Sequence, residues 1–178
     1  MTVWVALLRA VNVGGVNKLP MADFRDLLQA LGYQGARTYI QSGNAVFRSD
    51  KTAPVLAAEI ADAIHRRFGF RPPVLMLTRA MLADAVAGIP WPEAEPDKVH
   101  LFFMDRDLPR ATGDFLKALA APGEGYRWQG RTLWLHLPDG LARSRLARRV
   151  MDLPIDVTVR NLRSATAILA LADKLEGA

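Results

Sequence analysis

Cysteine is absent from the 178 residues. That excludes disulfide staples, thiolate zinc sites and a cysteine nucleophile, and it suits a reducing compartment. Histidine is scarce, at three residues. His65, His100 and His136 have no H-x-H or i, i+4 partner, so a histidine metal site or catalytic pair has no support. No carboxylate cluster suggests a metal, and no cofactor is expected. No stretch approaches the roughly 20 apolar residues of a membrane span. The opening "MTVWVALLRA" has six consecutive apolar residues with no basic residue before them, which reads as a first strand rather than a signal peptide. A cytoplasmic location without membrane partners is the expectation. G-x-x-x-x-G-K-[ST] and G-x-G-x-x-G are both missing, which excludes a Walker A loop and a dinucleotide fingerprint.

What is present is an apolar half, 51% of the residues, enough to bury a core without help. The net charge is +5 and arginine outnumbers lysine by 18 to 5. From Arg127 to Arg163, eight arginines face three aspartates, so this segment carries the whole formal excess. Such asymmetry suits an anionic partner, nucleic acid or phosphate, and also an ordinary solvated basic face.

Hydrophobic periodicity orders the chain. Residues 2–9 read as a strand. Pro20 opens a helix through Phe24, Leu27, Leu28 and Leu31, which Gly32 stops. "ARTYIQSGNAVFRS" is two β runs about Ser42-Gly43. Thr52 and Pro54 start a helix with a stripe of Leu56, Ile60, Ile64 and Phe68, and "PPVLMLT" is a strand. A short helix capped by Thr78 buries Met81, Leu82, Ala85 and Val86. "IPWPEAEPD" has three prolines and is the linker candidate. Then come the strand "KVHLFFMD", the helix "RATGDFLKALA", a hairpin turning at Gln129-Gly130, the helix "LARSRLARRVM" and the strand "IDVTVR". A last helix, capped by Asn161, buries Ile168, Leu169, Ala172 and Leu175.

The order β-α-β-β-α-β thus occurs twice. The economical reading is an α+β fold of duplicated ferredoxin-like subdomains. The expected organisation is a first subdomain over 1–78, a helix and Pro-rich linker over 79–97, and a second subdomain with its C-terminal helix over 98–178. In this topology strands one and two run parallel, so "NVGGVNK" and "QSGN" should meet at one sheet end.

Those two loops are the marked features. Gly14 and Gly15 bare backbone N–H groups before a helix, an arrangement that favours anions. Asn12, Asn17, Gln41, Ser42 and Asn44 add neutral donors and acceptors, and Arg9 and Lys18 add charge. The competing reading is that asparagine and glycine simply close a long loop. Ser42 as a nucleophile with Lys18 as its base is conceivable but unremarkable for a serine before a turn glycine. Trp4, Phe47, Tyr126, Trp128 and Trp134 are stacking candidates for a single-stranded RNA platform. However, "VWVALL" and "VHLFFM" are nearly continuously apolar, as in strands covered on both faces, so core is the better reading of these aromatics. Arg145, Arg148 and Arg149 share one helix face while Leu146 and Val150 face inward.

"LLRAVNVGGVNKLPM", "LGYQGARTYIQSGNAVF", "PDGLARSRLARRV" and "VTVRNLRSATAILAL" together resemble the bacterial family known as domain of unknown function 1697. Its pattern reads R-x-(I/V)-N-V-G-G-x-N-K, Y-(I/L)-Q-S-G-N-(V/A)-(V/I)-F, G-x-x-x-S-K-L and T-x-R-N-W-x-T-V. The resemblance implies two ferredoxin-like subdomains and brings no established activity. It marks Arg9, Asn12, Gly14, Gly15, Asn17, Lys18, Gln41, Ser42, Gly43 and Asn44, with Ser144, Thr158, Arg160 and Asn161. The chain departs at Arg145 for lysine, Leu162 for tryptophan and Ser164 for threonine. A signature concentrated in loops implies a site there.

Three functions follow as expectations. The first is a module binding a phosphate-containing or nucleotide-like ligand at loops 12–18 and 41–44, with Arg9 or Arg160 neutralising charge beside Asn161. The second is a small enzyme on a nucleotide or phosphorylated metabolite, assisted by Lys18 or Asp23. The third is nucleic-acid binding through the C-terminal arginines.

Overall fold

The computed structural model describes residues 1–177. The first half runs β1 (Thr2–Leu8), α1 (Met21–Ala30), β2 (Gln34–Tyr39), β3 (Asn44–Ser49), α2 (Ala53–Phe68) and β4 (Val74–Thr78). After α3 (Arg79–Ala87) the second half repeats the series as β5 (Val99–Met104), α4 (Arg110–Ala118), β6 (Gly125–Gln129), β7 (Thr132–His136), α5 (Arg145–Met151) and β8 (Val157–Asn161), and α6 (Leu162–Glu176) closes the chain. The two sheets have the same order, β2-β3-β1-β4 and β6-β7-β5-β8. Every neighbouring pair is antiparallel. This is the ferredoxin-like topology, present twice.

Met1–Ala83 with Ala167–Ala178 form one compact unit and Asp84–Thr166 the other. The end of α6 is tied to the first unit by Arg79, whose guanidinium lies 2.7 Å from Asp173 and 3.2 Å from Glu176. Arg48 also donates to the Leu175 carbonyl. At the irregularity between Gln34 and Arg37, Gly35 has a φ of +64°, and a Cβ there would stand 2.5 Å from Leu175 Cδ1.

Each unit has its own core. In the first, Phe24 and Leu28 of α1 meet Leu56, Ile60 and Ile64 of α2 over Ala6, Leu8 and Phe47 of the sheet. In the second, Leu116 of α4 and Leu146 and Val150 of α5 cover Phe102, Leu133 and Leu135. All six residues of β5 are buried, as are Val5, Ala6, Leu7 and Leu8 of β1, so both faces of the central strands lie out of water. Phe47 and Trp134 are buried, and Trp4, Tyr126 and Trp128 are partly so. The sheets therefore present no open stacking platform.

Several local details differ from the periodicity. The second hairpin turns at Gly130 and Arg131 rather than Gln129-Gly130: Gln129 pairs with Thr132, and Gly130 has the positive φ, +55°, that a two-residue turn needs. "LARSRLARRVM" is not one helix. Leu141–Arg143 is a 3-10 turn, and Ser144 Oγ accepts from the Ala147 amide at 3.0 Å to cap α5. Thr52 precedes α2 without a side-chain cap. Met81 is exposed, because α3 buries only Leu82 and Ala85 fully. Asn161 caps α6 as expected, accepting from Ser164 N–H at 2.9 Å.

Candidate functional site

The two marked loops meet. Asn12 donates through Nδ2 to the Leu19 carbonyl at 2.9 Å and to the Gln41 carbonyl at 2.8 Å, and its Oδ1 accepts from Leu19 N–H at 2.8 Å. One side chain thus closes its own loop and joins it to the β2–β3 turn. Asn17 Nδ2 donates to the Ala10 carbonyl at 2.9 Å, and the Asn12 amide donates to the Asn17 carbonyl at 3.1 Å. Asn44 is fully buried and donates to the Tyr39 carbonyl at 3.0 Å and to Ser42 Oγ at 2.8 Å. Asparagine suits these positions because it tolerates the left-handed region while its amide bonds nearby backbone.

At the tip, Val13 and Val16 form a bridge around Gly14 and Gly15, whose φ angles are +59° and +79°. Two successive positive φ values are the type I′ pattern, a small hairpin inside the loop. No backbone hydrogen bond is made by the Gly14 and Gly15 N–H groups among the described residues, and both residues are exposed. Lys18 and Gln41 are also exposed, while Arg9 and Ser42 are half-buried. Gly43 is buried beneath, with φ +79°. Asp23, at the start of α1, is held by Arg67 at 2.7 Å.

The cluster is strained. Ala10, Asn12, Asn17 and Ile40 have φ of +57°, +54°, +50° and +44°, and among the described residues no other non-glycine residue is at positive φ. Asparagine tolerates this region, so the cost falls mainly on Ala10 and Ile40, on the order of 1–3 kcal/mol each, and a β-branched residue there is an outlier. The topology does not require this. The equivalent connection in the second unit, between β5 and α4, spans only residues 105–109 and holds no positive-φ residue. The duplicated fold thus acts as its own control, and the strain belongs to this loop pair alone.

Three members of the cluster escaped the sequence reading. Val13 and Val16 are 63% and 62% exposed, and Ile40 is 49% exposed. The V-G-G-V pattern does signal a small hairpin. Nothing in the sequence marks Ile40, whose type argues against its conformation.

Arg160 and Asn161 belong to the second unit. Arg160 is buried, and Nη1 donates to Thr158 Oγ1 at 3.1 Å and to the Val159 carbonyl at 2.7 Å. Burial pushes its guanidinium down to about 10. Asn161 Nδ2 donates to Asp97 at 3.2 Å, and Arg163 grips the same carboxylate with two bonds of 2.8 Å. The Arg163 hydrogen bonds hold that carboxyl below its ordinary range. Ser144 and Asn161, marked by resemblance, are both helix caps. Leu162, where the family has tryptophan, is the half-buried first residue of α6. Among the described residues no group of three or more metal-ligating side chains occurs, and no helix is long and apolar enough to cross a membrane.

On β5, His100 is buried and its Nδ1 has no hydrogen-bond partner among the described residues. Burial pushes the imidazole below its ordinary 6.5, against the opposing pull of the Lys98 backbone and Asp97. The unfolded chain therefore binds the proton first. The stability from neutral His100 is complete above pH 6.5 and is lost as the pH falls through the depressed folded value. Thermal melts should therefore fall as the pH is taken below 6.5. His100→Gln should flatten that slope, and an unchanged slope would assign it to other groups.

Fold and site together define a class: a duplicated ferredoxin-like protein whose first unit carries an asparagine-clamped, strained pair of loops. The family model described as "Protein of unknown function (DUF1697)" matches residues 1–134, and the chain belongs to that family. A solved structure, that of conserved bacterial protein SP0830 from Streptococcus pneumoniae, is similar over 96% of this chain and 98% of its own, with a TM-score of 0.77 and 21% identity. At that identity the likeness establishes the shared fold. No protein with a curated description matches the sequence.

Proposed function

We propose that the joined loops 12–18 and 41–44 bind a phosphate-containing or nucleotide-like anion. The observation that carries this reading is the strain confined to the cluster. Four non-glycine residues are held at positive φ in loops whose counterparts in the second unit need none. Backbone strain persists where the surrounding structure over-determines it, and it gathers at sites that must be preorganised.

The chemistry of the rim supports an anion. The bare N–H groups of Gly14 and Gly15 and the ammonium of Lys18 are donors, with Gln41 on the turn that Asn12 joins to this loop and Arg9 at the base of the loop. In this reading the amides of Asn12, Asn17 and Asn44 are the frame rather than ligand contacts, since each is bonded to backbone. Gln41 and Lys18 are the side chains left to meet the ligand.

The test is a thermal-shift series with inorganic phosphate, sugar phosphates and nucleotides on wild type, Lys18→Ala and Gln41→Ala, at low and moderate salt. A ligand at a hundredfold excess over Kd stabilises by about 2.7 kcal/mol. One probe should raise the melting temperature of wild type by several degrees and that of each variant markedly less. Without ligand all three should melt alike, because both side chains are exposed. Equal stabilisation of wild type and variants, or no shift with any probe, would refute the reading.

A further inference from the structure

We propose that the groove between α4 and α5, in the second unit, is a docking site for an acidic peptide segment that presents a large apolar side chain. The groove is lined by Phe115, Leu119, Arg145, Arg148, Arg149 and Asp152 and encloses about 320 Å³. Phe115 is 51% exposed on α4, an unusual placement for a ring that would bury well over a hundred Å². The Arg149 guanidinium lies over that ring, 5.9 Å from its centroid. Phe115 and Leu119 form the apolar floor, and the arginines form the wall.

The charge on that wall is uncompensated. Arg145, Arg148 and Arg149 form no ion pair among the described residues, whereas Arg67, Arg71, Arg79, Arg106 and Arg163 each have a carboxylate partner. At i, i+3 and i+4 the three share one face of α5. With Asp152 the lining keeps a net positive charge, so the complementary occupant is anionic.

The equivalent groove of the first unit shows what the fold requires. Between α1 and α2 it is lined by Leu27, Ala30, Leu31, Ala63, Arg66 and Arg67. There Arg67 is neutralised by Asp23 at 2.7 Å, and no aromatic ring lines it. An exposed ring beside three unpaired guanidiniums is therefore particular to the second groove.

A peptide fits these features better than a nucleic acid. Single strands are held by successive aromatic platforms along a basic track. Here there is one ring, with a guanidinium already over its face. An apolar side chain fills the floor of such a groove, and flanking carboxylates reach the arginine wall, the usual division between anchor and rim.

The test is fluorescence anisotropy on the full chain. The probes are a labelled peptide of Glu and Asp around a central Leu-Phe pair, the same peptide with Ser-Ser at the centre, and a labelled oligothymidylate of equal charge. The Leu-Phe peptide should bind, and the other two should bind about tenfold more weakly, the equivalent of about 1.4 kcal/mol. Arg148→Glu with Arg149→Glu should weaken the Leu-Phe peptide at least about tenfold, and Phe115→Ser by about fivefold. Arg66→Glu, in the other groove, should leave it unchanged. All the substituted residues are exposed, and circular dichroism melts would verify that each variant folds. The proposal is overturned if the Leu-Phe peptide fails to bind, if Arg66→Glu weakens it as much as the groove variants, or if the oligothymidylate binds as tightly.

Discussion

Gly43→Ala should destabilise the protein by about 3 kcal/mol, near 10 °C in melting temperature, whereas Gly14→Ala should cost only about 1 kcal/mol. Both glycines sit at positive φ, +79° and +59°. The backbone penalty for an L residue there is roughly 1–2 kcal/mol in either case. The difference lies in the surroundings. A Cβ on Gly14 meets nothing within 4 Å, while one on Gly43 falls 2.6 Å from Val11 Cγ2 and 2.8 Å from Leu8 Cβ. Leu8 Cβ is fixed to the end of β1, whose amide donates to the Gly43 carbonyl at 2.8 Å. It cannot yield without moving that strand end. Overpacking of this kind costs about 1–3 kcal/mol. Denaturant unfolding of both variants gives the comparison directly. Equal losses would mean that the turn shifts freely and that the contact with β1 carries nothing.

Asn12→Ala should cost about 3 kcal/mol, against about 1 kcal/mol for Asn17→Ala. The larger loss follows from three hydrogen bonds, to the Leu19 N–H, the Leu19 carbonyl and the Gln41 carbonyl. Each contributes roughly 0.5–1.5 kcal/mol net. Alanine also tolerates positive φ less well than asparagine does, a cost common to both sites, at +54° and +50°. Asn17 makes one such side-chain bond. Asn12→Asp is the sharper control. It keeps the shape and the acceptor for Leu19 N–H but sets a carboxylate oxygen against two carbonyls, so it should be no more stable than Asn12→Ala. Unfolding measured at pH 7 that finds Asn12→Asp close to wild type would show that the amide donors do not join the loops.

These effects explain why a loop-closure reading and a ligand reading of the same motif are compatible. The asparagines close the loops, and the closed loops hold the glycine N–H groups, Lys18 and Gln41 in place. On the proposed reading, a variant of the frame should remove binding by loosening the site. A variant at Lys18 or Gln41 should remove it with stability unchanged.

Much of the architecture was legible because it depends on local periodicity. Apolar spacing at i, i+3, i+4 marked α1 and α2, continuous apolar runs marked β1 and β5, and their order, repeated, implied the ferredoxin-like duplication. Even the meeting of the two loops followed, since parallel β1 and β2 end at the same edge. Errors fell where a side-chain bond or the strand register outranks local periodicity. Ser144 accepting from Ala147 N–H starts a new helix in a stretch that reads as one. Gly130, not Gln129, takes the first place in its turn because the register Gln129↔Thr132 leaves two residues to close it.

By itself, then, the sequence determined the class of fold, the duplication, the covered central strands and the location of the marked loops, all of which arise from patterns within a few residues of one another. Only the tertiary structure decided the role of each residue in those loops. Whether Asn12 faces a ligand or a carbonyl, whether Ile40 adopts φ +44°, and whether Phe115 is buried or 51% exposed all depend on what the folded chain brings within a few ångströms. Such contacts join residues as far apart as Asn12 and Gln41, and no local pattern encodes them.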